Sequence, residues 1–312
     1  MAMVQYSCWN NCNGSCDFCL RKERSIYSVE DQIFSLETIM KNIDLVDWSG
    51  NFSDGISLLG GELYNITDKK LQDTFMELVD KIIDKILLKS TNPNCRFSSV
   101  TNGVYDPTFL FRVLDRVRER AGVKFIDINF SFDLKYRYKT EEAKRTAIKN
   151  INAVHNRYNY CVGVQMILAQ YVLNMIKDGT FSISKFLKEE IPGNMLCFLY
   201  PHPVHTGKVL PDFYLKRADF LPFLLRLREE HPNIYTSFVF STRNSGEFKY
   251  TGLVDKRFIT EHSSTSELPS LSDGKEIINP KCGHSALYKC YIDSSACLLC
   301  DIEALEGASD SL

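Results

Sequence analysis

The chain has 312 residues, 44% of them hydrophobic and 24% charged, with a formal net charge of -2. That composition supports a sizeable core and argues against global disorder, and the near-neutral charge supplies no field that would draw the molecule to extended nucleic acid. No apolar run approaches the roughly 20 residues needed to cross a bilayer. The N-terminal MAMVQYSCWNN lacks the basic-then-apolar order of a signal peptide, so a cytoplasmic location without membrane contact is expected.

Six short runs have the length and the β-branched or aromatic content of buried strands: MVQYSC, GISLLGG, FSSVTNG, KFIDINFSFD, YCVGVQMIL and NMLCFLYP. Between them, residues 29–47, 67–90, 106–121, 140–158 and 173–190 repeat apolar side chains at helical spacing. Asp106 is placed to cap the third of these helices, with Pro107 at its first position. Strand–helix alternation of this kind predicts a parallel sheet, and six repeats fit an α/β fold of the partial (β/α)6 barrel type. A further helix over 218–230 precedes the strand-like IYTSFVF, so the barrel core is assigned to residues 1–242.

The chain then changes character. Residues 243–281 are rich in Ser, Thr, Glu, Pro and Gly and read as a linker or irregular cap. KCGHSALYKCYIDSSACLLC reads as a small cysteine-rich hairpin, which makes 243–312 a C-terminal extension. The basic run RVLDRVRER reads as a solvated helix face.

Cysteines are crowded at both ends. Cys8, Cys12, Cys16 and Cys19 lie near the start, and Cys282, Cys290, Cys297 and Cys300 near the finish; Cys95, Cys161 and Cys197 stand alone in apolar surroundings and read as small core residues. In a reducing compartment such clusters point to metal or redox chemistry rather than disulfides. Zinc normally takes four ligands, often from paired C-x2-C units, whereas cubane iron–sulfur clusters are held by thiolates. Cys12, Cys16 and Cys19 form C-x3-C-x2-C on the loop after the first strand, where reactive groups gather in (β/α) barrels. Cys8 falls within that strand and reads as core.

CNGSCDFC resembles the C-x3-C-x-aromatic-C loop of the radical S-adenosylmethionine (radical SAM) superfamily, with Phe18 as the aromatic residue. Three further segments follow in matching order. LLGGEL resembles that superfamily's GGE motif, which implies that Gly60, Gly61 and Glu62 meet the SAM amino group. SVTNG, with Asn102, resembles its TNG segment, and INFSFD its S-x-D segment, implying Ser131 and Asp133 near the SAM ribose. Gln165 reads either as part of the SAM pocket or as a polar residue at the core edge. The resemblance implies a [4Fe–4S] cluster whose open iron chelates SAM, reductive cleavage to a 5′-deoxyadenosyl radical, and an electron donor such as flavodoxin or ferredoxin.

The C-terminal segment is similar to the auxiliary-cluster segments called SPASM and Twitch, with Cys282-Gly283, Tyr291-Ile292-Asp293 and Cys300 carrying the match. This implies a second iron–sulfur cluster on Cys282, Cys290, Cys297 and Cys300, with structural zinc as the alternative. His284, and His202 and His205 in PHPVHTGK, read as solvated or loop residues beside a possible role at the site. The expected substrate is a peptide or protein. The alternatives are a nucleoside, nucleotide or other small metabolite, or a non-catalytic metal-stabilised binding protein. The sequence names no residue for the catalytic step on the substrate.

Overall fold

In the computed structural model of the chain, the described residues are 4–14, 16–19, 26–45, 55–88, 95–200, 212, 217–231 and 234–238. The expected extension, 243–312, and the PHPVHTGK loop lie outside them.

Seven strands form one parallel sheet in sequential order: β1 (Val4–Ser7), β2 (Gly55–Leu59), β3 (Arg96–Thr101), β4 (Ile126–Phe132), β5 (Gly163–Ile167), β6 (Met195–Tyr200) and β7 (Tyr235–Phe238). The helices between them are α1 (Val29–Leu45), α2 (Lys69–Ile82), α3 (Thr108–Arg120), α4 (Glu141–Tyr158), α5 (Gln170–Lys177), α6 (Ile183–Lys185) and α7 (Arg217–Glu230). The six expected strands are present, and the IYTSFVF segment adds a seventh on β6. A strand order that never reverses keeps crossovers of one hand on one face of the sheet.

Strand β4 shows the consequence. Its sequence IDINFSF alternates strictly: Ile126, Ile128, Phe130 and Phe132 are buried, while Asp127, Asn129 and Ser131 are only partly so. In register with the buried set stand Ile56, Leu58, Phe97, Val164, Met166, Leu196 and Phe198, all buried in the core shared with the helices. The opposite face aligns Ser57, Ser98 and Asp127 in one row and Ser131, Gln165 and Cys197 in another. The first face is mostly hydrocarbon, with Ser99 and Thr101 in its rows; the second carries these polar side chains beside Leu59, Val100 and Ile167.

Helix α2 starts where the Asp68 side chain accepts the Leu71 N–H at 2.8 Å, and it buries Leu71, Phe75, Leu78, Val79 and Ile82 at three- and four-residue spacing. Arginines of RVLDRVRER reach α2 and the turn after it as well as solvent: Arg112 pairs with Asp73 at 2.9 Å, and Arg120 with Asp80 at 2.8 Å and Asp84 at 2.5 Å, whereas Arg118 pairs with Asp115 of its own helix at 3.3 Å. The run is therefore a charge ladder between neighbouring helices.

Three local expectations change. Helix α3 begins at Thr108 rather than 106, although Asp106 still accepts the Thr108 N–H at 2.8 Å. The single helix expected over 173–190 is broken at Asp178-Gly179, where Gly179 takes φ +80, and resumes as α6. Cys161 is exposed, unlike buried Cys95 and Cys197, because β5 starts two residues later and leaves it on the preceding connection.

Candidate metal and cofactor centre

The cysteine loop leaves the C-terminal end of β1 and runs beside the chain leaving β2. Cys8 N–H donates to Leu59 O, Gly61 N–H to Trp9 O and Glu62 N–H to Asn11 O, each at 2.8 Å, so the parallel ladder continues beyond the two strands. A Cβ on Gly61 would lie 2.0 Å from Asn11 O, and one on Gly60 would lie 2.5 Å from Leu63 Cδ2. These glycines permit backbone to approach backbone. The Trp9 indole N–H donates to Glu62 O at 3.1 Å, and its ring packs edge-on against Phe75 in the core. Asn11 closes the far end of the loop, bonding both the N–H and the C=O of Tyr27 at 2.8 Å. Cys8 is buried, as expected.

Among the described residues none of the three loop cysteines is in a disulfide; Cys12 is exposed, Cys16 buried and Cys19 intermediate. Gly14 sits between two of them. A Cβ there would lie 3.3 Å from Cys12 Sγ and 3.8 Å from Cys16 Sγ, so the glycine keeps the space between the sulfurs clear. Burial raises the pKa of both thiols, opposed at Cys12 by the Gly14 N–H, which points at its sulfur at 3.2 Å, and at Cys16 by the charge of Arg137. Among the described residues no three His, Cys, Asp or Glu side chains converge to hold one metal ion. A polynuclear cluster makes a different demand, since each thiolate binds its own iron. Three thiols on one loop with a cleared space between two of them fit such a group.

Behind the thiols lies a buried network. The Glu62 carboxylate accepts the Asn102 N–H on Oε2 at 2.7 Å, and the Thr101 hydroxyl at 2.8 Å and Tyr64 N–H at 3.1 Å on Oε1. Burial pushes its carboxyl up to about 7, although all three donors and Arg137 favour the anion. Asn102 reaches the other way: its side-chain amide donates to Asn13 Oδ1 at 2.8 Å and points at Cys12 Sγ at 3.6 Å. The GGE and TNG segments thus meet each other and the cysteine loop.

The loop after β4 completes the ring. Asp133 is buried, and its Oδ1 accepts the N–H groups of Lys135, Tyr136 and Arg137, while Oδ2 accepts the Tyr171 hydroxyl. Expected at a ribose, this carboxylate is engaged with its own chain. Ser131 and Gln165 are register partners on the polar face, both partly exposed. The Asp17 N–H donates to Tyr136 O at 3.1 Å, and the Arg137 guanidinium lies 5.4 Å from the Phe18 ring centroid, so this loop docks directly on the cysteine loop.

Arg137, Asn11, Asn13 and Thr101 were not legible as site residues. The only sequence signal for any of them was position beside a motif. Cys282, Cys290, Cys297, Cys300, His202, His205 and His284 lie outside the described residues.

No protein-family model matches the sequence, and no curated protein does. Among solved structures the chain is similar to SuiB of Streptococcus suis, at 13% identity and a TM-score of 0.45 over 80% of this chain and 54% of that one. It is also similar to a radical SAM methyltransferase from Sphaerobacter thermophilus, at 13% identity and a TM-score of 0.44 over 75% of this chain and 64% of that one. The chain spans about half the length of SuiB and just under two thirds of the methyltransferase.

Proposed function

We propose that the chain is a radical SAM enzyme that abstracts hydrogen from a substrate, with Cys12, Cys16 and Cys19 holding a [4Fe–4S] cluster. One observation carries this reading: three thiols, with Gly14 leaving room between Cys12 and Cys16, stand on a loop clasped by the segments after β2, β3 and β4. When bound, the cluster and SAM would supply an electron and a carbon-centred radical. The chain's own residues hold the site in shape. Asn102 and Glu62 fix the cysteine loop against two strand ends, and Asp133 shapes the loop that covers Phe18. Gly60, Gly61, Glu62, Asn102, Ser131, Asp133 and Gln165 are the proposed surroundings of SAM.

The preferred substrate is a peptide or protein, on the resemblance of the C-terminal segment to SPASM and Twitch segments. That segment would hold a second iron–sulfur cluster, or zinc, on Cys282, Cys290, Cys297 and Cys300. The polar face bearing Asp127, Asn129, Ser131 and Gln165 equally suits a nucleoside, nucleotide or small metabolite, which stands as the second reading.

Anaerobic reconstitution with iron and sulfide, followed by a SAM-cleavage assay under a low-potential reductant, tests the core of the proposal. The wild type should yield 5′-deoxyadenosine, and the variant with all three cysteines replaced by Ala should not. Undiminished cleavage by that variant would sink the assignment.

A further inference from the structure

We propose that Arg137 is the charge partner of the cluster held by Cys12, Cys16 and Cys19, and that it governs how readily this cluster accepts an electron. The inference rests on the function proposed above and deepens it. Arg137 lies in the loop after β4, its guanidinium 5.4 Å from the ring centroid of Phe18, which stands between Cys16 and Cys19 in the sequence. Among the described residues its buried Nε has no hydrogen-bond partner.

A cationic N–H buried without an acceptor is costly, and native proteins supply one or discharge the group. Arginine cannot discharge at accessible pH. Asp133, the obvious candidate, already accepts three backbone N–H groups and the Tyr171 hydroxyl. The groups whose charge would act on the guanidinium are Cys16, Tyr138, Asp133 and Cys19. Two of those four groups are thiols of the cysteine loop. As thiolates around iron they would supply the negative charge that the guanidinium lacks.

The redox consequence follows from charge alone. Reduction adds one electron, delivered by a low-potential one-electron donor such as a flavodoxin or ferredoxin; no bond forms or breaks, and the assembly becomes more negative by one unit. A fixed positive charge beside it favours the reduced state, and net charge near a cluster is one of the determinants of its potential. Phe18 positions the charge, because a cation over an aromatic face is attracted by the ring. Arg137 is thus a positioning and tuning residue rather than a catalytic one.

The test uses anaerobically reconstituted full chain: wild type and Arg137→Gln, Arg137→Met and Arg137→Lys. Iron and sulfide content are measured first, then the midpoint potential by EPR-monitored redox titration. Neutral variants that load iron normally should show a potential shifted to more negative values, while Arg137→Lys should stay near the wild type. An unchanged potential in an iron-loaded neutral variant overturns the inference. If neither neutral variant folds or loads, Arg137→Lys decides. Full loading at the wild-type potential supports a requirement for charge. Failure of the lysine variant to load assigns Arg137 a purely structural role and overturns the proposal. A wild type that takes up no iron would instead remove the cluster reading itself, an outcome distinct from all of these.

Discussion

Asn102 donates its backbone N–H to Glu62 Oε2 at 2.7 Å, joining residues 40 positions apart at the ends of two adjacent strands. The bond does more than hold a turn. On one side Glu62 also anchors Tyr64 and Thr101; on the other, the Asn102 side chain reaches Asn13 and the sulfur of Cys12. A carboxylate with three donors and almost no exposure is a structural tie whatever else it touches.

That tie has a pH signature. The folded-state carboxyl of Glu62 is raised from 4.5 to about 7, so between these values the unfolded chain has released a proton that the folded chain retains. Stability therefore falls as pH rises through this window, by roughly 3 kcal/mol at about 1.4 kcal/mol per pH unit. The depressed carboxyls of Asp106, Asp115 and Asp212 act in the opposite sense, and only below about pH 4. Glu62→Gln has no proton to retain. Urea unfolding of both proteins at pH 5 and pH 7.5 should show a smaller pH dependence in the variant, and equal slopes would reject the buried-carboxyl account.

Gly61 tests the close approach of the two loops. Its φ is not positive, so any cost of a side chain arises from collision with Asn11 O rather than from backbone strain. Gly61→Ala should lose on the order of 3 kcal/mol, the upper range for overpacking. Gly179→Ala is the contrast: φ is +80 with nothing within 4 Å, so the left-handed conformation alone should cost about 1–2 kcal/mol. Denaturant midpoints for the two variants give the order. A Gly61 variant as stable as the Gly179 one would mean the cysteine loop moves aside freely.

Asp133 organises the loop that carries Arg137. Tyr171→Phe removes one donor to this buried carboxylate and should cost about 1.5–3 kcal/mol, as for hydrogen bonds to charged groups. Asp133→Ala removes the acceptor for three successive amides as well. Hydrogen exchange at Lys135, Tyr136 and Arg137 should then accelerate in Asp133→Ala far more than in Tyr171→Phe. Protection that survives in Asp133→Ala would show that the loop holds its shape by other means.

The C-terminal cysteines separate two metals. With a second cubane the intact reconstituted protein should contain about eight irons per chain, falling to about four when Cys282, Cys290, Cys297 and Cys300 are all replaced. With zinc it should carry about one zinc beside about four irons, because four thiolates close around a single ion. Metal analysis of the intact and four-cysteine variants, side by side, distinguishes them.

Periodicity and turn residues placed the strands, the crossover helices and the loop carrying Cys12, Cys16 and Cys19, because these features are encoded by residues within a few positions of one another. The same local logic misjudged Cys161, whose apolar neighbours belong to a strand that starts just after it, and it carried a helix through Asp178-Gly179. IDINFSF held the alternation that sets polar side chains on one sheet face, yet which face met the helices depended on strand order. Sequence could propose that Gly61 and Glu62 approach a cofactor. Only the folded chain placed Asn11 O against Gly61, three donors on Glu62, the loop amides on Asp133 and the Arg137 guanidinium over Phe18. For Gly61, for Arg137 and for the Thr101 and Asn102 donors to Glu62 the physical reason is separation: these contacts join segments tens to more than a hundred residues apart, and parallel register decides which side chains meet, while local pattern decides only that a strand or a turn exists.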